Sequence, residues 1–135
     1  MKRKVKFLAV VGGAAYFFEK KRKRVLAINI DQSCIELLVS ASKNKVFILA
    51  KKLIEHNSKQ KVALIIKSKV KRNQYETYVE ITQGIRKKKV ASTLNESLPL
   101  FTSHDNDIYV QETLLKEKGV RVSKKILREA LSTNI

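Results

Sequence analysis

The 135-residue chain has one cysteine, one proline, four glycines and no tryptophan, and each shortage excludes something. The single thiol, Cys34, cannot form an intramolecular disulfide, so packing alone must hold the fold, and a reducing, cytoplasmic setting is the expectation. So little proline and glycine excludes collagen-like sequence and long flexible linkers. A run of about 20 apolar residues, the length of a membrane-spanning helix, is missing too. The stretch from Phe7 to Phe18 is 12 residues long with Gly12 and Gly13 inside it. There is no P-loop, dinucleotide glycine pattern or nucleophile elbow, and no repeat or low-complexity segment.

Acidic residues are also scarce. Twelve Asp and Glu face 29 Lys and Arg, giving a formal charge of +17. Such an excess opposes compaction by self-repulsion and calls for a polyanionic partner: phosphate backbones, anionic lipid heads or an acidic protein. The excess is uneven. Residues 1–72 carry 19 basic and 4 acidic side chains, net +15, whereas residues 73–135 carry 10 and 8, net +2. Uniform lysine enrichment would raise the count everywhere, so the polyanion-facing surface is expected from the first half. Apolar residues make up 44%, enough for one packed core, and 135 residues leave no room for a second.

The N-terminal segment, residues 1–24, reads basic, apolar, basic. Lys2, Arg3, Lys4 and Lys6 precede Phe7–Phe18, and Lys20, Lys21, Arg22, Lys23 and Arg24 follow. The preferred reading is a strand from Val5 to Val11, a turn at Gly12-Gly13 and a return through Tyr16 and Phe18. The alternative is an anchor in an anionic membrane surface on the cytoplasmic face, formed by residues 7–18 and the flanking lysines. A secretory signal is opposed by five consecutive positive charges directly after the apolar stretch.

Further along, Val25–Ile30, Ile35–Val39, Val46–Ile54, Val62–Val70 and Tyr75–Thr82 read as strands, with hairpin turns at 42–45 and 71–74. Residues 55–60 read as a loop, and residues 93–107, with the only proline, as a mostly irregular connection. Gln111–Lys118 has helix formers and stops at Gly119, expected to be left-handed there. Ser123 fits an N-cap for a second helix from Lys124 to Leu131. The expected fold is a β-rich α+β single domain: an antiparallel sheet of hairpins with a short helical hairpin at 111–131.

Three groups of basic residues are candidate phosphate contacts. Lys67, Lys69 and Lys71 alternate along a strand and, with Arg72, form a ridge about 14 Å long at strand spacing. The bland reading of that ridge is a solvated face or an edge protected by lysine. The clusters Lys20–Arg24 and Arg86, Lys87, Lys88, Lys89 grip phosphates if each lies on a loop tip. Tyr75 and Tyr78 flank the ridge, and their spacing of three puts them on opposite sheet faces, so one at most can stack a base beside it.

The segment from Glu112 to Leu131 resembles a helix-turn-helix of the DNA-binding kind, carried by Gly119, Val120, Val122 and Ser123. The resemblance implies that Lys124, Lys125 and Arg128 face bases or phosphates. A plain helical hairpin packing Leu114, Leu115, Ile126, Leu127 and Leu131 on the sheet is its alternative. Val25–Val39 resembles the opening strand of resolvases, ribonuclease H-like nucleases and actin-like ATPases, which implies a metal-binding acid at Asp31 with Glu36 nearby. A turn role for Asp31 competes with that. His104, Asp105 and Asp107 lie together without a second ligand pair, so no metal or other cofactor is expected. The composite expectation is a non-enzymatic nucleic-acid-binding protein, DNA or RNA, with a larger assembly as one setting. The membrane-surface anchor and a metal-dependent nuclease are the alternatives.

Overall fold

The computed structural model describes residues 1–43, 45–57, 60–71, 74–101 and 107–123. Three N-terminal strands form a meander: β1 (Lys2–Val11), β2 (Ala14–Glu19) and β3 (Arg24–Asn29). The turn between β1 and β2 is the expected glycine pair. Gly12 and Gly13 have φ of +60° and +80°, and Val11 pairs with Ala14 across them. Two positive φ values are what a tight hairpin of primed type demands. Residues 7–18 are thus a β-hairpin, with Ala15 and Phe17 fully buried.

Two helices follow, α1 (Gln32–Lys43) and α2 (Lys45–Asn57), where the sequence reading has two strands, a hairpin turn and a loop. The physical reason is visible at both. The Asp31 carboxylate accepts the Cys34 N–H at 2.7 Å and caps α1, leaving Cys34 and Leu38 four residues apart on its buried face. Short runs rich in Ile, Leu and Val do not distinguish helix from strand by composition, and a cap without Glu or Gln at its third position is an inconspicuous signal. In α2 the Lys51–Glu55 ion pair, at 3.5 Å, supports the helical spacing.

A second meander comprises β4 (Lys61–Lys71), β5 (Gln74–Gln83) and β6 (Arg86–Ser92). The short helix α3 (Leu94–Ser97) then runs into a 3-10 turn at Leu98–Phe101, so that part of the 93–107 connection is ordered and buries Leu94, Leu98 and Phe101. The strand β7 (Asp107–Gln111) leads into α4 (Glu112–Lys118), and β8 (Val120–Arg121) is the last element among the described residues.

All eight strands join one sheet in the order β6-β5-β4-β7-β1-β2-β3-β8. β7 lies between the two meanders, antiparallel to β1 and parallel to β4, so the sheet is mixed rather than purely antiparallel. Val5, Phe17, Leu26, Ile28, Leu64, Ile66, Ile108 and Val110 pack with Cys34, Leu38, Phe101, Leu114 and Leu115 in a single core on one side of it. The helices lie on that side. The expected C-terminal hairpin keeps only its first helix within the described residues. Val120 and Arg121, expected in its turn, pair instead with Val25 and Arg24, and residues 124–131 lie outside the described part. Gly119 is not left-handed either, with φ −72° and ψ 142°. A glycine suits it because a Cβ there would run into the Leu115 carbonyl oxygen.

Candidate nucleic-acid interface

The sheet face away from the core is defined by its register. Ile65 pairs with Tyr78 of β5 and with Tyr109 of β7, so the three side chains share that face. Along the same alternation lie Lys61 and Lys67 of β4, Lys2, Lys4 and Lys6 of β1, and Lys87 and Lys89 of β6. Glu76, Glu80 and Asp107 are the acids on it. Lys67 pairs with Glu76 at 3.8 Å, Lys4 with Asp107 at 3.3 Å, and Lys2 with Glu80 at 3.5 Å. Lys6, Lys61, Lys87 and Lys89 have no ion-pair partner among the described residues.

The face is not flat. Lys2 and Glu80 sit three strands apart and about four residues out of line along them, roughly 20 Å on a flat sheet and beyond the reach of the two extended side chains, yet these meet at 3.5 Å. That requires the sheet to curve toward this face along one diagonal. The opposite diagonal curves toward the helices. Asn29 at the end of β3 and Tyr75 at the start of β5 line one cavity of about 380 Å³ there, with Asp31, Cys34, Leu37 and Asn95. Opposite curvature on the two diagonals is the saddle that right-handed strand twist produces. Two of the cavity's polar groups are committed internally: Asn95 Oδ1 accepts the Asp31 N–H at 3.0 Å, and the Asp31 carboxylate caps α1.

At the centre of the lysine face, Ile65 is 2% exposed although it points away from the core. Tyr78 and Tyr109 flank it, both partly exposed. The Lys89 ammonium lies 4.9 Å from the centroid of the Tyr78 ring, and that of Lys2 lies 5.0 Å from the Tyr109 ring. Each is a cation held against a π face. Tyr75 lies on the core side, where burial pushes its phenol up. The opposite placement of Tyr75 and Tyr78 is what their spacing predicts.

The basic clusters lie at the two sides of this face. Lys20, Lys21, Arg22 and Lys23 form the exposed turn between β2 and β3, and Arg86–Lys89 lie within β6, on an edge strand rather than a loop tip. β6 and β2 are five strand steps apart, roughly 24 Å. Arg24 is the exception among the expected phosphate contacts. It is 6% exposed, and its guanidinium donates to Glu19 at 2.7 Å and to Glu112 at 2.9 and 3.2 Å, so it is buried and engaged by two internal carboxylates. Arg3 and Arg22 also bind Glu112, at 3.1 and 3.2 Å. This cluster ties the turn at 20–24 to α4. Hydrogen bonds from Arg24, then Arg3, hold the Glu112 carboxyl down at about 2, and the bonds Arg24 donates to Glu19 and Glu112 raise its own value above the ordinary one. Lys69 and Lys71 lie in β4, paired with Tyr75 and Gln74. Arg72, Lys124, Lys125 and Arg128 lie outside the described residues, as do His104 and Asp105.

Sequence reading missed Lys2, Lys4, Lys6 and Tyr109 as members of this surface. A signal for the lysines was present, since they alternate at period two before Phe7. For Tyr109 there was none, because the five-residue strand DIYVQ straddles the gap between the 93–107 connection and the helix read from Gln111. Among the described residues no three His, Cys, Asp or Glu side chains come together to hold a metal, and no helix there is long and apolar enough to cross a membrane. The sequence matches no protein-family model and no curated protein.

Proposed function

We propose that the protein binds nucleic acid without processing it, using the sheet face away from the core and the basic clusters on either side. One observation carries the reading: seven lysines against three carboxylates on one curved face, with Tyr78 and Tyr109 set among them. A solvated face needs no tyrosines, and a protein-binding face is ordinarily depleted of lysine. Phosphates would meet Lys6, Lys61, Lys87 and Lys89, which make no ion pair among the described residues. Lys20, Lys21, Lys23 and Arg86 would extend the contact at the two sides. Lys67 would continue it toward the end of β4. Affinity would come mainly from counterion release and would fall steeply with salt.

The test is a titration against labelled DNA, labelled RNA and anionic liposomes at low salt and at about 0.15 M. Nucleic-acid binding that persists at the higher salt, exceeds liposome binding and weakens in Lys87→Glu/Lys89→Glu supports the proposal. Equal attraction to every polyanion, lost with salt, would sink it.

A further inference from the structure

We infer that the occupant of the curved face is a single strand, with bases stacked on Tyr78 and Tyr109; this rests on the nucleic-acid reading above. A duplex presents phosphates outward and keeps its base faces in its own stack. Two rings at the centre of a lysine-bordered face would then touch nothing they are suited to. An unpaired strand offers both partners at once: π faces for the tyrosines and phosphates for the lysines around them. Tyr78 and Tyr109 lie two strand steps apart, roughly 10 Å between backbones, with Ile65 as an apolar floor between them. The concavity along the Lys2–Glu80 diagonal brings the rims over that floor, which suits a flexible strand better than a rigid rod.

The lysine positions fit the same exchange. In the free protein Lys89 and Lys2 rest on the two rings. A base arriving on a ring displaces the ammonium, and the long lysine stem lets it swing to the phosphate of the same nucleotide. Stacking and charge pairing therefore replace one cation–π contact at each ring and, at Lys2, the 3.5 Å ion pair with Glu80 as well.

The rings also shelter Ile65, so alanine would confound stacking with folding. Leucine avoids this, because it keeps apolar cover and removes the π face. The experiment measures affinities of the intact chain and of Tyr78→Leu, Tyr109→Leu and the double variant for labelled oligo-dT, oligo-U and a blunt hairpin duplex, with thermal melts of each protein. The expected result is tighter binding of the single strands than of the duplex, a loss of about 5-fold or more per leucine substitution on the single strands, and almost none on the duplex. The salt slope should stay the same in the leucine variants and fall in Lys87→Ala/Lys89→Ala. Comparison of oligo-dT with oligo-U then separates DNA from RNA. Duplex binding that equals or exceeds single-strand binding, with leucine variants indifferent, overturns the single-strand inference and leaves the nucleic-acid reading standing. Absence of binding to every probe overturns both.

Discussion

Four residues show how burial and bonded partners decide what a titratable group does. Arg24 and Glu19, 6% and 1% exposed, are paired at 2.7 Å at the base of a turn whose other basic residues face solvent. Arg24→Met leaves the Glu19 charge buried with Arg3 no nearer than 3.9 Å. It should cost about 3 kcal/mol or more in chemical denaturation. Glu112 has a pH signature. Its folded value near 2 lies below the ordinary 4.5, so the unfolded chain binds the proton more readily. The resulting stability is complete above about pH 4.5 and is lost as pH falls toward 2. Urea midpoints measured from pH 5 to pH 2 should fall through that window, and Glu112→Gln should remove its share of the fall. Cys34 is pushed up to about 11, by burial first and by the nearby Asp31 charge second. A thiol reagent at pH 8 should leave it unmodified in the folded protein and react once denaturant is added.

Among the elements, the junctions are more constrained than the strands they join. At Gly119 the backbone dihedrals suit any residue, and the obstacle is the Leu115 carbonyl oxygen, whose hydrogen bond from the Gly119 N–H, at 2.8 Å, ends α4. Gly119→Ala should therefore destabilise by about 1–3 kcal/mol, as forced overpacking does, read as a lower melting temperature. Gly13 poses the opposite problem, with open space around its Cα and φ of +80°. Gly13→Val should weaken the β1–β2 hairpin through backbone strain alone. Both glycines were conspicuous in the sequence, and Gly12-Gly13 was legible as a turn. The role of Gly119 was not, since a stop glycine is ordinarily left-handed and this one serves close approach.

At the scale of the molecule, charge acts in two directions. A net +17 on one domain opposes folding by self-repulsion. Raising ionic strength from about 0.01 to 0.15 M shortens the screening length from about 30 to 8 Å. The melting temperature should rise over that range while nucleic-acid affinity falls, and scanning calorimetry beside titration would show the two trends diverging. The site itself also exists only at this scale. Lys2 and Lys4 come from the first strand, Ile65 and Tyr78 from the middle of the chain and Tyr109 from near its end. β7 joins them by sitting between β4 and β1.

The sequence by itself determined the composition-level facts: one domain, a mixed α and β chain rich in strands, the Gly12-Gly13 hairpin, the opposite placement of Tyr75 and Tyr78, and a basic surface drawn mainly from the first half. Those follow from local chemistry, because φ preference, period-two alternation and charge count need no distant partner. Only the tertiary structure decided that residues 32–57 are helices, that Arg24 is internal, and that β7 bridges two meanders to make one curved lysine and tyrosine face. Short apolar runs are ambiguous until a surface selects their period. Strand pairing across a hundred residues leaves no local trace. The curvature that brings Lys2 to Glu80 comes from twist accumulated over several strands, which no single strand contains.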